Sequence, residues 1–421
     1  MSVATLHFST CPTAREDARA AVAAGHEVFV SGFEVPGARA VDAGWGRAVR
    51  QAAERTARTV LVVDAPTDAL RALAQPVEDD RADVVTGERR PPPLLERTTN
   101  QLARAALDVE LADPLCPARA FRVEALRAEP LARDGDDGEA EALVKLAAQR
   151  YRFTGVPVRF GGRRSPANLA RLAGTLARYA TVQNDADNRH EGYSTLAHLE
   201  AGAPEYNRWL ASTFSRWAGQ RVLEIGAGIG TITAHLAPGR ELVTALEVDP
   251  FYVRRLKNRF RGQPHVEPWQ GDVALADWQA LAARRFDTIV LSNVLEHIAD
   301  DGGAVRTFAK ILPRGGALIL FVPALPALFG SLDEAVGHHR RYTPELLRGV
   351  LEQNGFQVEH LRWMNLVGIP GWFLNGRVLK RRVLPPLQLR VYDRLAPTLA
   401  TLESKVELPV GLSLLAVGRR A

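Results

Sequence analysis

Three glycines, Gly226, Gly228 and Gly230, follow the apolar run Val222-Leu223-Glu224-Ile225, and a helical pattern opens at Thr231. A strand running into such a turn lets the backbone bend tightly and lets a ligand come close to main-chain amides. Alone, the turn fits nicotinamide and flavin cofactors, other nucleotide-like ligands, or no ligand at all. Acids recur after the strands that follow. Glu247 ends the run Leu242–Leu246, roughly 20 residues beyond the turn, where a carboxylate accepts hydrogen bonds from ribose hydroxyls. Asp272, in Gly271-Asp272-Val273, stands where a carboxylate could accept from an adenine amino group. The ordered recurrence carries more weight than any single acid.

A second set of residues could handle protons or anions. His297 lies just past the run Thr288–Leu291, and His338 and His339 lie farther along. Each could serve as a general base for an acceptor hydroxyl. Glu296 and His297 offer two metal-ligand types, but two ligands do not make a site, so no metal centre is expected. His338-His339-Arg340-Arg341-Tyr342 precedes a helix with Thr343 as N-cap and Pro344 at its first position. That run could supply cationic contacts to a phosphate or carboxylate.

The elements that must position these residues divide the chain. Up to about Arg164, short apolar runs alternate with Ala- and Arg-rich helical stretches. Thr59–Asp64 and Ala82–Thr86 read as strands, and Leu95–Leu107 and Glu139–Arg150 as helices. Residues 165–219 are polar and helical, with Asn184-Asp185-Ala186-Asp187-Asn188 as a turn-rich linker or lid. From Arg221 the strands would be Val222–Ile225, Leu242–Leu246, Thr288–Leu291 and Ala317–Val322, each followed by a helical segment. Such alternation predicts a doubly wound α/β sheet with ligands at the C-terminal strand ends.

Over about Gln220 to Gly418 the sequence resembles the class I S-adenosylmethionine-dependent methyltransferases. The matching segments are Leu223 to Gly230, Glu247, Gly271-Asp272, Phe286-Asp287 through Leu295-Glu296-His297, Leu312-Pro313-Arg314-Gly315-Gly316 and Gly337 to Thr343. The resemblance implies a Rossmann-like sheet and S-adenosylmethionine as cofactor. Glu224, Gly226, Ala227, Gly228 and Gly230 would face its methionine portion, Glu247 its ribose and Asp272 its adenine edge, with Val248, Val273 and Asn293 completing the set. It places His297, His338, His339, Arg341 and Tyr342 on the acceptor side as the catalytic group. Members that methylate base amino groups carry Asn/Asp-Pro-Pro-Tyr after the fourth strand. Here the residues are Ser292-Asn293-Val294-Leu295, which favours O- or C-methylation of a small-molecule, glycan or lipid-linked acceptor.

The first zone resembles, in part, family 2 glycosyltransferases similar to dolichyl-phosphate mannose synthase. The resemblance rests on Gly44 to Arg50, the strand ending at Asp64, Ala82 to Arg89, Asp113 to Arg122 and Gly155-Val156-Pro157-Val158. It implies a truncated glycosyltransferase-A-like α/β domain. Those enzymes hold a metal through Asp-x-Asp, whereas this chain reads Asp64-Ala65-Pro66, and proline cannot replace the second carboxylate. The domain is therefore expected to be inactive. The expected organisation is 1–164 for this domain, 165–219 for a linker or lid, 220–360 for the methyltransferase and 361–421 for an amphipathic extension. A bifunctional glycosyltransferase/methyltransferase is the alternative enzyme, and a cofactor-sensing scaffold the non-catalytic one.

Bulk properties narrow the class. The chain has 421 residues, 46% hydrophobic and 24% charged, with a formal net charge of +5. That is an ordinary globular composition, long enough for two domains. Cys11 and Cys116 cannot build a disulfide framework. The start shows no basic-then-apolar targeting pattern. Ala317–Phe329, the longest apolar run, is broken by Pro323 and Pro326 and is too short to span a bilayer. A cytoplasmic location is expected. No basic and aromatic stripe marks a nucleic-acid partner. Trp372, Phe373 and Leu374 beside Arg377, Lys380, Arg381 and Arg382 could instead meet an anionic membrane at its inner face, or cover the sheet.

Overall fold

The computed structural model describes residues 3–421 apart from 9–13, 32–33, 43, 90, 108, 130, 135–136, 160–163, 182–195, 197–198, 201, 273–277 and 383. The chain forms two compact units, Met1–Asp187 and Asn188–Ala421. The boundary falls inside the segment expected to be a linker. Asn184–Asn188, expected as its turn-rich break, lies outside the described residues. Helix Pro166–Thr181 belongs to the first unit and packs there on helices Arg97–Leu107 and Gly138–Ala148.

The first unit is a seven-stranded mixed sheet in the order β3-β2-β1-β4-β6-β5-β7. Its strands are β1 (Ala4–Phe8), β2 (Glu27–Ser31), β3 (Arg39–Val41), β4 (Val60–Val63), β5 (Val84–Glu88), β6 (Arg119–Arg122) and β7 (Phe153–Pro157). Only β6 runs antiparallel to its neighbours. The strands expected at Thr59–Asp64 and Ala82–Thr86 are β4 and β5. Asp64, just past β4, holds φ +47° and accepts from Phe8 N–H at 3.0 Å. Burial pushes its carboxyl up to about 7.

The second unit is also a seven-stranded sheet, ordered β10-β9-β8-β11-β12-β14-β13. It comprises β8 (Arg221–Ile225), β9 (Leu242–Glu247), β10 (Val266–Gln270), β11 (Thr288–Ser292), β12 (Ala317–Pro323), β13 (Phe356–Met364) and β14 (Ser413–Arg420). The strands β10, β9, β8, β11 and β12 pair in parallel, while β14 is antiparallel to both β12 and β13. All seven residues of β12 are buried, as expected for a continuous apolar run covered by helices on both faces. Pro323 ends it.

The C-terminal extension differs from expectation here. It is not only an amphipathic cover, because β14 sits inside the sheet between β12 and β13. Its residues Ser413 to Gly418 are all buried. The order reverses between β8 and β11, both of which start outward from the centre. That reversal opens a crevice beyond their C-terminal ends, where ligands bind in open α/β sheets. Among the described residues no helix is long and apolar enough to cross a membrane.

Candidate active site

Strand β8 delivers Glu224 and the glycine turn to this crevice. Gly226, Gly228 and Gly230 take φ values of +70°, +54° and +80°, a region that residues with side chains enter at a cost. Space closes the same choice. A methyl group at Gly226 would lie 2.5 Å from Val294 Cγ2, and one at Gly230 would lie 2.7 Å from Leu256 Cδ2. The turn is anchored by Gly226 and Ala227 N–H groups donating to Leu246 O at 2.9 and 3.2 Å. Val294 belongs to the turn after β11, so the two strand ends meet directly across Gly226.

Glu224 is buried and accepts from Thr233 Oγ1 at 2.6 Å. Burial pushes its carboxyl up to about 7. Glu247, at the end of β9, accepts from the Gly228 N–H at 2.8 Å through Oε2. Its Oε1 accepts from Val248 N–H at 2.8 Å and Asp249 N–H at 3.2 Å. Burial raises this carboxyl above its ordinary range. A carboxylate offers about four acceptor positions, so Glu247 keeps capacity for a ribose hydroxyl while pinned against the glycine turn. Val248 is largely exposed, and its N–H is taken up by Glu247. Asp272 is exposed after β10, Val273 lies outside the described residues, and Asn293 turns the chain after β11 at φ +53°. The pinned acid and the cradle that a Cβ would fill both fit a nucleoside cofactor.

The residues expected on the acceptor side come together in a different form from that expected. His297 and His338 pack edge to face, ring centroids 4.7 Å apart, although helix Asp301–Ile311 and strand β12 separate them along the chain. Desolvation and the adjacent His338 ring hold His297 down to about 4, so its imidazole is neutral near neutral pH even though an edge stays exposed. His338 Nδ1 lies 2.9 Å from Asp333 Oδ1. Its Nε2 lies 3.6 Å from Glu296 Oε1. His339 has an exposed side chain and donates its backbone N–H to Glu296 O at 2.9 Å.

Arg341 and Tyr342 do not present open polar groups to an acceptor. The guanidinium of Arg341 is buried, donates to Asp333 Oδ1 at 2.8 Å and to Ala324 O at 2.7 Å, and stacks 4.8 Å from the Trp372 ring centroid. Tyr342 is fully buried, with its hydroxyl donating to Asp301 Oδ2 at 2.9 Å. Both residues position the run rather than reach out from it. Asp333 is the hub the sequence reading missed. Burial favours its neutral form, yet the His338 hydrogen bond and the Arg341 charge win and hold its carboxyl below the usual range. Its sequence signal was weak, since Asp333 reads as an ordinary first-turn acid of the helix Ser331–Ala335, where it also accepts from Gly330 N–H at 3.0 Å.

With this geometry in place, comparison with known proteins bears on the second half of the chain. A family model described as a methyltransferase domain matches residues 172–361. The chain carries an S-adenosylmethionine-dependent methyltransferase domain. This methyltransferase domain is similar to ribosomal RNA small subunit methyltransferase A of Treponema pallidum, 42% identical over 81 residues, which are 19% of this chain and 27% of that protein. It is also similar to the ubiquinone biosynthesis O-methyltransferase of Xanthomonas euvesicatoria, 29% identical over 36% of this chain and 69% of that protein. The chain thus spans little more than a quarter of the ribosomal RNA enzyme it matches. A TehB-like SAM-dependent methyltransferase from Corynebacterium glutamicum superposes with a TM-score of 0.32 at 18% identity, covering 51% of this chain and 88% of that one.

Proposed function

We propose that the protein is a methyltransferase that uses S-adenosylmethionine to O- or C-methylate a small-molecule, glycan or lipid-linked acceptor. One observation carries the reading: the pinned glycine turn after β8 meets the histidine-bearing turn after β11 at Gly226 and Val294. When bound, the cofactor supplies an electrophilic methyl group on a sulfonium. The chain's own task is alignment, where proximity supplies roughly 7–11 kcal/mol. Glu224 and the glycine turn are proposed to hold the methionine portion, Glu247 the ribose, and Asp272 with Val273 the adenine, with Asn293 bordering the transfer site. In O-methylation the cofactor would supply the methyl group and a neutral thioether leaving group, and the chain's own residues would align the acceptor oxygen and take its proton. His297 is proposed to take the hydroxyl proton. Arg341, Tyr342 and Asp333 would fix His338 and the segment that borders the acceptor.

No base-methylation signature follows β11, and this supports a non-nucleic-acid acceptor. The ubiquinone enzyme among the relatives is named as an O-methyltransferase, while another acts, by its name, on ribosomal RNA. The exclusion of nucleic acid therefore rests on the residues of this chain alone. The N-terminal unit is proposed to be a glycosyltransferase-like domain without transferase activity, on the loss of the second acid in Asp64-Ala65-Pro66.

The C-terminal segment is proposed to touch an anionic membrane surface. Supporting this, Leu387, Val391 and Leu395 are exposed at four-residue spacing on helix Pro386–Glu403, and Phe373, Leu374, Val378 and Leu379 are exposed on the turns before it. Arg377, Lys380, Arg381, Arg382, Arg390 and Arg394 are exposed around them. The core of the proposal is tested by isothermal titration with S-adenosylhomocysteine. Saturable binding that Gly228→Arg abolishes is expected. Absence of binding, or binding unchanged by the substitution, overturns it.

A further inference from the structure

Glu296 is completely buried at the end of the turn after β11, and neither of its carboxylate oxygens has a hydrogen-bond partner. A buried carboxyl group left without partners costs several kcal/mol, and proteins resolve that cost with a proton or a cation. The surroundings favour a cation. Ligand atoms of Glu296, His297 and His338 all lie within 4.8 Å of one another. The His338 Nε2 to Glu296 Oε1 separation of 3.6 Å is that of two ligands in one tetrahedral shell, given bond lengths of about 2.0–2.2 Å.

The group that would orient a ligating imidazole is also in place. Asp333 Oδ1 meets His338 Nδ1 at 2.9 Å, which puts the proton on Nδ1 and leaves the Nε2 lone pair facing Glu296. A carboxylate behind a ligating imidazole is the usual way a protein fixes the tautomer and orientation of a metal-binding histidine. Asp333 is itself clamped by Arg341 Nε at 2.8 Å and by Gly330 N–H at 3.0 Å. The neighbouring backbone adds rigidity, since His339 N–H donates to Glu296 O at 2.9 Å and ties the two ligand-bearing segments together.

We infer that Glu296, His297 and His338 form a binding site for a divalent transition-metal cation, with Asp333 holding the His338 ring in place from its Nδ1 side. Two imidazoles and one carboxylate suit zinc, manganese, cobalt or iron better than magnesium or calcium, which take all-oxygen shells. Three protein ligands leave at least one position open, the pattern of a catalytic rather than a structural centre. Resting on the methyltransferase reading, the open position would hold an acceptor oxygen beside the transfer site. The cation would then acidify a bound hydroxyl, replacing His297 as the agent that eases its deprotonation.

The test uses the full chain, freed of metal with a chelator and titrated calorimetrically with Zn2+, and with Co2+ read by visible absorption. Saturable binding is expected, with near-stoichiometric uptake and a cobalt spectrum of low symmetry. Glu296→Gln and His338→Gln should each weaken it by more than tenfold, and Asp333→Asn by about 10- to 100-fold. Glu296→Gln fills the same volume with a neutral amide, so its metal-free melting temperature should not fall, whereas the rise in melting temperature on adding Zn2+ should vanish. No saturable uptake, or equal uptake by wild type and both ligand variants, overturns the inference. S-adenosylhomocysteine titrated into the same samples separates this outcome from failure of the methyltransferase reading, because cofactor binding is expected to persist without metal.

Discussion

Glu224 has a consequence that can be measured without knowing the acceptor. Its buried carboxyl is pushed from an ordinary 4.5 up to about 7. A carboxyl with a raised native pKa binds more protons folded than unfolded. Its contribution to stability is therefore full below pH 4.5, falls as pH rises toward 7, and is flat above. The loss is on the order of 3 kcal/mol. Glu224→Gln keeps an acceptor for Thr233 Oγ1 and removes the titration. Urea denaturation of both proteins at pH 5 and pH 8 should show the wild type losing stability that the variant keeps, by roughly that amount. Equal pH dependence in the two would show that Glu224 ionises normally. Glu224 and Glu247 were both legible in the sequence, because a strand followed by a glycine turn fixes where the next residues go. Arg341 was legible as a cation but not as a buried one, since burial depends on Asp333 and on Trp372, which is 39 residues beyond Asp333.

The element that most repays attention is helix Pro386–Glu403, which has two faces. One is buried against helix Pro204–Ser215, with Ala396 buried and Asp393 Oδ1 accepting from Tyr206 N–H at 2.9 Å. The other carries Leu387, Val391 and Leu395 in the open, flanked by Arg390 and Arg394. An apolar stripe bordered by cations is the pattern of a helix lying at a lipid interface. Burying a leucine is worth roughly 1.5–3 kcal/mol. Replacing Leu387 and Leu395 with Glu should thus cut co-sedimentation with phosphatidylserine vesicles at least tenfold, while S-adenosylhomocysteine binding stays unchanged. Undiminished co-sedimentation would remove the membrane reading. Strand β14 shows the opposite limit of legibility. Ser-Leu-Leu-Ala-Val-Gly is a short apolar run that alone does not distinguish a strand from a buried helix turn. Its place comes from pairing with Ala317 to Pro323 of β12 on one side and Phe356 to Met364 of β13 on the other, far back along the chain.

At the scale of the molecule, each unit owns its sheet and its hydrophobic core. Leu6, Phe29, Leu61 and Phe121 centre one core, and Leu223, Ile289, Leu320 and Ala416 another. Separate cores predict separate unfolding transitions. Scanning calorimetry of the full chain should resolve two. S-adenosylhomocysteine at a hundredfold excess over its dissociation constant should stabilise one of them by about 2.7 kcal/mol and leave the other in place. One transition that shifts as a whole would show that the units unfold cooperatively.

The sequence by itself determined where the proposed cofactor half of the site lies. The glycine turn, Glu224 and Glu247 lie within one strand–turn–helix–strand stretch, where local backbone geometry dictates position. It also determined the α/β character, because apolar period and turn residues are local signals. Only the tertiary structure decided the other half. Glu296 and His297 stand at the end of one strand, and His338, Asp333 and Arg341 stand beyond another. No local rule brings His338 Nε2 to 3.6 Å from Glu296 or leaves both oxygens of that carboxylate without a hydrogen-bond donor. That juxtaposition is set by the parallel pairing of β11 with β12, which carries the two segments to the same edge of the sheet.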